Sequence, residues 1–112
     1  MQIVTRQIDG VTVIDMAGRL DTSTSGNAYD EMVEIAQSGV TNVVLNLDKT
    51  EYISSAGLRV ILMAAKLLKS SKGEMKICHA NGVVKEVLET SGFNHIIDLY
   101  DDEKGAIAAF GN

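Results

Sequence analysis

The chain is 112 residues long, 46% hydrophobic and 22% charged, with a formal net charge of -5. That suffices for one domain with a modest core and is too apolar for a disordered segment. The acid excess argues against non-specific binding to nucleic acid or to an anionic membrane, and no apolar run approaches the roughly 20 residues of a membrane helix.

The N-terminus, Met1-Gln2-Ile3-Val4-Thr5-Arg6, has no charged region followed by an apolar one, so no signal peptide is expected. The lone Cys78 has no intrachain disulfide partner. Both features suit a cytoplasmic protein. No linker, internal repeat or low-complexity stretch divides residues 1–112, which read as one domain.

Ile3 to Ile8 and Val11 to Met16 flank Asp9-Gly10, a strong signal for a two-residue hairpin. Gly18-Arg19-Leu20-Asp21 leads into Thr22-Ser23-Thr24-Ser25, a cluster of candidate N-caps. Tyr29, Met32, Val33 and Ala36 then recur at helical spacing, with Gly39 fitting the position beyond the helix end. Val43 to Leu47 is a third strand, apolar nearly throughout, as for a strand covered on both faces. A second helix runs from about Ser55 to Ser70. Met75 to Cys78 is a fourth strand and Asn81-Gly82 a turn. Val83, Val84, Val87 and Leu88 mark a third helix, ended by Gly92. Ile96 to Tyr100 is a fifth strand. Asp101-Asp102-Glu103 complements the positive end of a last helix carrying Ile107 and Phe110. The expected fold is α/β: a mixed five-stranded sheet with about four helices, in the order ββαβαβαβα, its later strands parallel and joined by crossovers.

The second helix is apolar nearly all round. Leu58, Ile61, Leu62, Ala65 and Leu68 form one stripe; Val60, Met63, Ala64 and Leu67 form another. Such a helix is buried or meets a partner, and periodicity does not choose between a neighbouring helix and a partner for the second stripe.

Enzyme templates fail in turn. There is no Gly-rich phosphate loop of either common type. Cys78-His79 lacks metal-ligand spacing to other ligands, and His95 is distant in sequence. Cys78 reads as a buried thiol at a strand end. Asp15, Asp21 and Asp48 lie near strand ends, where solvated turn carboxylates are common. The serine pair in Tyr52-Ile53-Ser54-Ser55-Ala56-Gly57-Leu58-Arg59 stands apart. It lies where a strand gives way to a helix, at the N-cap and first helical position. One serine suffices as a cap, worth about 1 kcal/mol. The second, followed by the small Ala56 and Gly57, sits at an open helix start, which suits a phosphate.

These motifs resemble those of the STAS family of anti-sigma-factor antagonists, along essentially the whole chain. The resemblance rests on Gly18-Arg19-Leu20-Asp21, Asn46-Leu47-Asp48, Ser54-Ser55-Ala56-Gly57-Leu58, Gly73-Glu74-Met75 and Ser91-Gly92-Phe93. It implies a single STAS domain over residues 1–112, non-catalytic and without a cofactor. Its implied partner is an anti-sigma factor that is also a serine kinase of the histidine-kinase-like ATPase type. Binding would free the sigma factor, phosphorylation of Ser55 (Ser54 as second choice) would end binding, and a metal-dependent serine phosphatase would reset the chain. Many members carry Asp before the modified serine, where this chain has Ser54. The expected partner surface comprises Asp21, Thr22, Ser54, Ser55, Ala56, Gly57, Leu58, Arg59 and Met63, with Asp21 near Ser55 because both follow strands sharing one sheet edge. No nucleic-acid or membrane partner is expected. Three rivals remain: a STAS scaffold or nucleotide sensor without a phospho-switch, a detached piece of an anion transporter, and a small enzyme with Ser55 as nucleophile, for which the chain offers no visible base.

Overall fold

A computed structural model describes residues 1–111. Strands β1 (Gln2–Ile8) and β2 (Val11–Leu20) form an antiparallel hairpin in unbroken register from Ile8↔Val11 to Gln2↔Ala17. Asp9 and Gly10 both take positive φ, at 51° and 78°, as a two-residue type I′ turn requires. Helix α1 (Ser25–Ala36) follows, then β3 (Asn42–Asn46), β4 (Thr50–Ile53), α2 (Ser55–Ser70), β5 (Glu74–Cys78), α3 (Gly82–Thr90), a single 3-10 turn (Phe93–His95), β6 (Leu99–Tyr100) and α4 (Glu103–Ala108).

The sheet has six strands, one more than expected. Its order is β1-β2-β3-β5-β6, with β4 paired to β2. The additional strand is β4. It lies parallel to the far end of β2, pairing Gly18–Leu20 with Thr50–Ile53 across a register shift at Gly18/Arg19. Four residues are too few to declare a period, and Asp48-Lys49 before them reads as a loop. β2 likewise runs on past Met16 to Leu20, because its last residues gain this second partner.

Alternation sends successive residues to opposite faces. Ile14, Met16, Val43, Leu45, Met75 and Ile77 join α1, α2 and α3 in the larger core cluster. Val13, Val44 and Cys78 point the other way, where α4 covers them with Ala106. The continuous apolar run in β3 is thus explained by cover on both faces, as anticipated. On the α4 face Arg6 pairs with Asp15 and Glu103, and Asn46 Nδ2 donates to Glu103 Oε1 at 3.0 Å. Glu103 therefore fixes α4 to the sheet, while Asp102 caps the helix by accepting from Gly105 N at 2.7 Å.

Two further expectations need correction. Asn81-Gly82 is a helix start: Asn81 Oδ1 accepts from Val84 N at 2.9 Å, and Gly82 opens α3. The same Asx chemistry serves turns and N-caps alike. The strand expected over Ile96 to Tyr100 shrinks to Leu99–Tyr100, because the 3-10 turn carries the chain through Ile96, which is 56% exposed. Helix α1 buries Ala28, Met32 and Ala36, while Tyr29 faces outward.

Candidate functional site

The switch from β4 to α2 is held against the end of β2 by backbone chemistry. Ser54 is extended (φ -88°, ψ 175°), and its N–H donates to Leu20 O at 2.9 Å. Its Oγ accepts from Gly57 N at 3.2 Å, satisfying one of the free donors of the first helical turn. Gly57 is the close-approach point. A Cβ there would lie 2.7 Å from both Leu20 Cγ and Leu20 O. Only a residue without a side chain lets α2 seat this near β2.

The two serines are thereby divided. Ser54 is the half-buried cap; Ser55 is the first helical residue and is exposed. Among the described residues, no hydrogen bond engages the Ser55 hydroxyl.

Along α2 the buried face is Gly57, Val60, Ile61, Ala64 and Leu68. It draws from both apolar stripes, and α1 and α2 pack together over it. Of the second stripe, Val60 and Ala64 are core and Leu67 is half-buried, while Met63 stays 40% exposed. Ser55, Arg59 and Met63, each one helical turn from the next, are all exposed. Leu58 lies beside this row and helps line an apolar groove of about 470 Å3 with Val83 and Val87 of α3. Ala56 is half-buried.

Asp21 follows Leu20 and so begins one residue from the backbone bond that holds Ser54. Its Oδ1 accepts from Ser23 Oγ at 2.7 Å and from Ser23 N at 3.0 Å. The Ser23 hydroxyl is the main reason that the Asp21 carboxyl lies below its ordinary range. Thr24 Oγ1 accepts from Asp21 N and donates to Arg19 O, locking the loop, and Thr22 projects from it exposed. Arg19 Nε lies 3.6 Å from Asp21 Oδ2, and its guanidinium sits 4.5 Å from the Tyr52 ring centroid. Arg19 and Tyr52 are outside the sequence-based expectation. Their meeting depends on the β2–β4 pairing, whose only signal was the position of Tyr52 two residues before Ser54.

Other chemistry is not gathered here. Among the described residues no group of three His, Cys, Asp or Glu side chains could hold a metal ion. Cys78 is buried, and burial pushes its thiol up to about 12. His79 follows the end of β5 and His95 lies in the 3-10 turn. No helix among the described residues is long and apolar enough to cross a membrane.

The model of the STAS domain family matches residues 2–106. The chain is similar to BtrV of Bordetella bronchiseptica, a candidate anti-sigma factor antagonist, with 36% identity over 98% of this chain and 95% of that one. It is similar to the anti-sigma F factor antagonist of Paenibacillus polymyxa, with 34% identity over 96% of this chain and 92% of the other. Its fold superposes on the anti-sigma factor antagonist SpoIIAA in its unphosphorylated form at a TM-score of 0.79 and 20% identity, covering 97% of this chain and 96% of that one. On the phosphorylated form of Bacillus SpoIIAA the TM-score is 0.72 at 19% identity, over 97% and 99% of the two chains.

Proposed function

The chain belongs to the STAS domain family, and from that premise we propose that it is an anti-sigma factor antagonist switched by phosphorylation of Ser55. Unphosphorylated, it binds an anti-sigma factor that is also a serine kinase, and the sigma factor is released. The kinase then modifies Ser55, the complex separates, and a metal-dependent serine phosphatase restores the binding form. The relatives named for anti-sigma factor antagonism support the role.

The observation that carries the choice of residue is the division of labour between the serines. Ser54 is committed to the cap through its bond from Gly57 N, while Ser55 is exposed with its hydroxyl free. A kinase can take Ser55 without dismantling the helix start. A phosphoserine adds about -1.5 to -2 charges at pH 7. At the first position of α2 that charge meets the open N–H groups and the positive end of the helix dipole, so the fold accommodates it. The effect is felt by the partner. A dianion pressed against an apolar or acidic surface is desolvated and repelled, and a loss of about 3 kcal/mol weakens binding roughly a hundredfold. The docking surface is the Ser55–Arg59–Met63 row with Leu58 beside it, bordered by Ala56 and by Asp21 and Thr22 of the preceding loop. Its reach from α2 to the β2 end rests on the Ser54–Leu20 bond and the bare approach at Gly57.

The test is binding of the serine kinase that co-purifies with the unphosphorylated chain. Ser55→Ala should bind like wild type and resist phosphorylation, and Ser55→Asp should lose binding. Wild-type affinity in Ser55→Asp would refute the switch at this residue.

A further inference from the structure

The sheet treats its edges unequally. β6 is two residues long, and at β4 the Thr50 carbonyl is already taken by Asn81 Nδ2 at 2.9 Å. β1 is different. It is seven residues long, outermost, in regular register with β2 and free of bulges. Its sequence, Gln2-Ile3-Val4-Thr5-Arg6-Gln7-Ile8, contains no proline and a single charge. Folded chains ordinarily blunt an edge of this length with prolines, lysines or bulges.

The groups this edge presents follow from the hairpin. A two-residue I′ turn makes Ile8↔Val11 a hydrogen-bonded pair, and such pairs alternate along an antiparallel ladder. Ile8, Arg6, Val4 and Gln2 therefore bond inward to β2. The opposite parity on β2 agrees: Met16 O accepts from Thr50 Oγ1, and Gly18 N donates to Lys49 O, on the side away from β1. Ile3, Thr5 and Gln7 consequently direct their N–H and C=O groups outward.

We propose that β1 pairs antiparallel with β1 of a second copy of this chain, across a two-fold axis at Thr5. Only this register sets all three outward residues against outward residues: Thr5 against Thr5, and Ile3 against Gln7 in both directions. Each edge donor and acceptor then finds a partner, and the contact is isologous and closes. The register also suits the side chains. Val4, which is 49% exposed, faces Arg6 of the second copy. Arg6 is already held by Asp15 and Glu103 and offers Val4 its aliphatic stem. No like charges oppose one another, because Arg6 never faces Arg6. The occupant is a second copy because the strand matches itself in hydrogen-bond parity and its one charge meets an uncharged residue. The pairing does not involve Ser55.

The test is sedimentation of the purified full chain up to about 1 mM, with amide exchange measured residue by residue. The apparent mass should rise toward twice the monomer value, and the amides of Ile3, Thr5 and Gln7 should gain protection in step. Thr5→Pro deletes an outward donor at the axis, and Val4→Lys sets a lysine opposite Arg6 of the second copy. Both should stay monomeric, and Val4→Lys, on an exposed face, keeps the test intact if Thr5→Pro does not fold. A monomer at every concentration overturns the proposal. So does a dimer that survives Val4→Lys with those three amides exchanging freely. Protection of those amides only when a different protein is added also overturns it.

Discussion

Gly57→Ala puts the seating of α2 to a quantitative test. The added Cβ would stand 2.7 Å from Leu20 Cγ, 2.7 Å from Leu20 O and 3.1 Å from Ile53 Cγ2. Leu20 is completely buried and Ile53 is 2% exposed, so neither side chain has room to swing away. The Leu20 oxygen also accepts the Ser54 N–H, and moving it costs that bond. Helix propensity favours Ala over Gly by at most about 1 kcal/mol. Overpacking a full site costs about 1–3 kcal/mol, and a clash with backbone falls at the upper end. The net is a destabilisation of about 1–2 kcal/mol. At this chain length each kcal/mol lowers Tm by roughly 4 °C, giving a drop of about 4–8 °C. Thermal melts followed by far-ultraviolet circular dichroism would measure it. Amide exchange at Ser54 should quicken as the first turn of α2 is levered off β2. A variant melting at or above the wild-type temperature would refute the close approach on which the site is built.

Ser54→Ala removes the cap bond to Gly57 N and should cost about 1 kcal/mol in urea denaturation, while phosphorylation by the cognate kinase continues. The hydrogen bond from the Arg6 guanidinium, with a second from Asn46, holds the Glu103 carboxyl below its ordinary range. Its folded-state pKa is depressed, so its contribution is fully present above the ordinary carboxylate pKa of about 4.3 and is lost as pH falls through the folded value. The stability gap between wild type and Glu103→Gln, read from urea midpoints, should therefore be widest near neutrality and close in acid. The Cys78 thiol, pushed up to about 12 by burial, should react with a thiol reagent at pH 8 only at the rate of unfolding; fast labelling of the native chain would contradict its placement.

The long periodic segments were legible from sequence. The Asp9-Gly10 hairpin, the doubly covered β3 and the span of α2 all follow from local rules, and the division between Ser54 and Ser55 follows from cap chemistry. What was hidden depends on contacts between distant segments. β4 is a strand because the last residues of β2 supply it with a partner, so no window around Thr50–Ile53 reveals it. The face that α2 buries could not be read from its two apolar stripes, since the choice is made by α1 and by the bare approach at Gly57. Arg19 meets Tyr52 for the same reason, and Glu103 serves as a tether because β1 and β3 bring Arg6 and Asn46 beneath it. Asn81-Gly82 shows the limit of turn chemistry, which does not distinguish a reversal from a cap.

The central claim is that Ser55 receives the phosphate while Ser54 serves the fold. The direct measurement is mass-spectrometric mapping of the chain after incubation with its cognate kinase and ATP, with partner affinity measured on the purified product. The account predicts a single phosphate on Ser55, an unchanged melting temperature within about 1 kcal/mol of stability, and an affinity roughly a hundredfold weaker. A phosphate on Ser54, or a Ser55-phosphorylated chain that binds as tightly as the unmodified one, would contradict it.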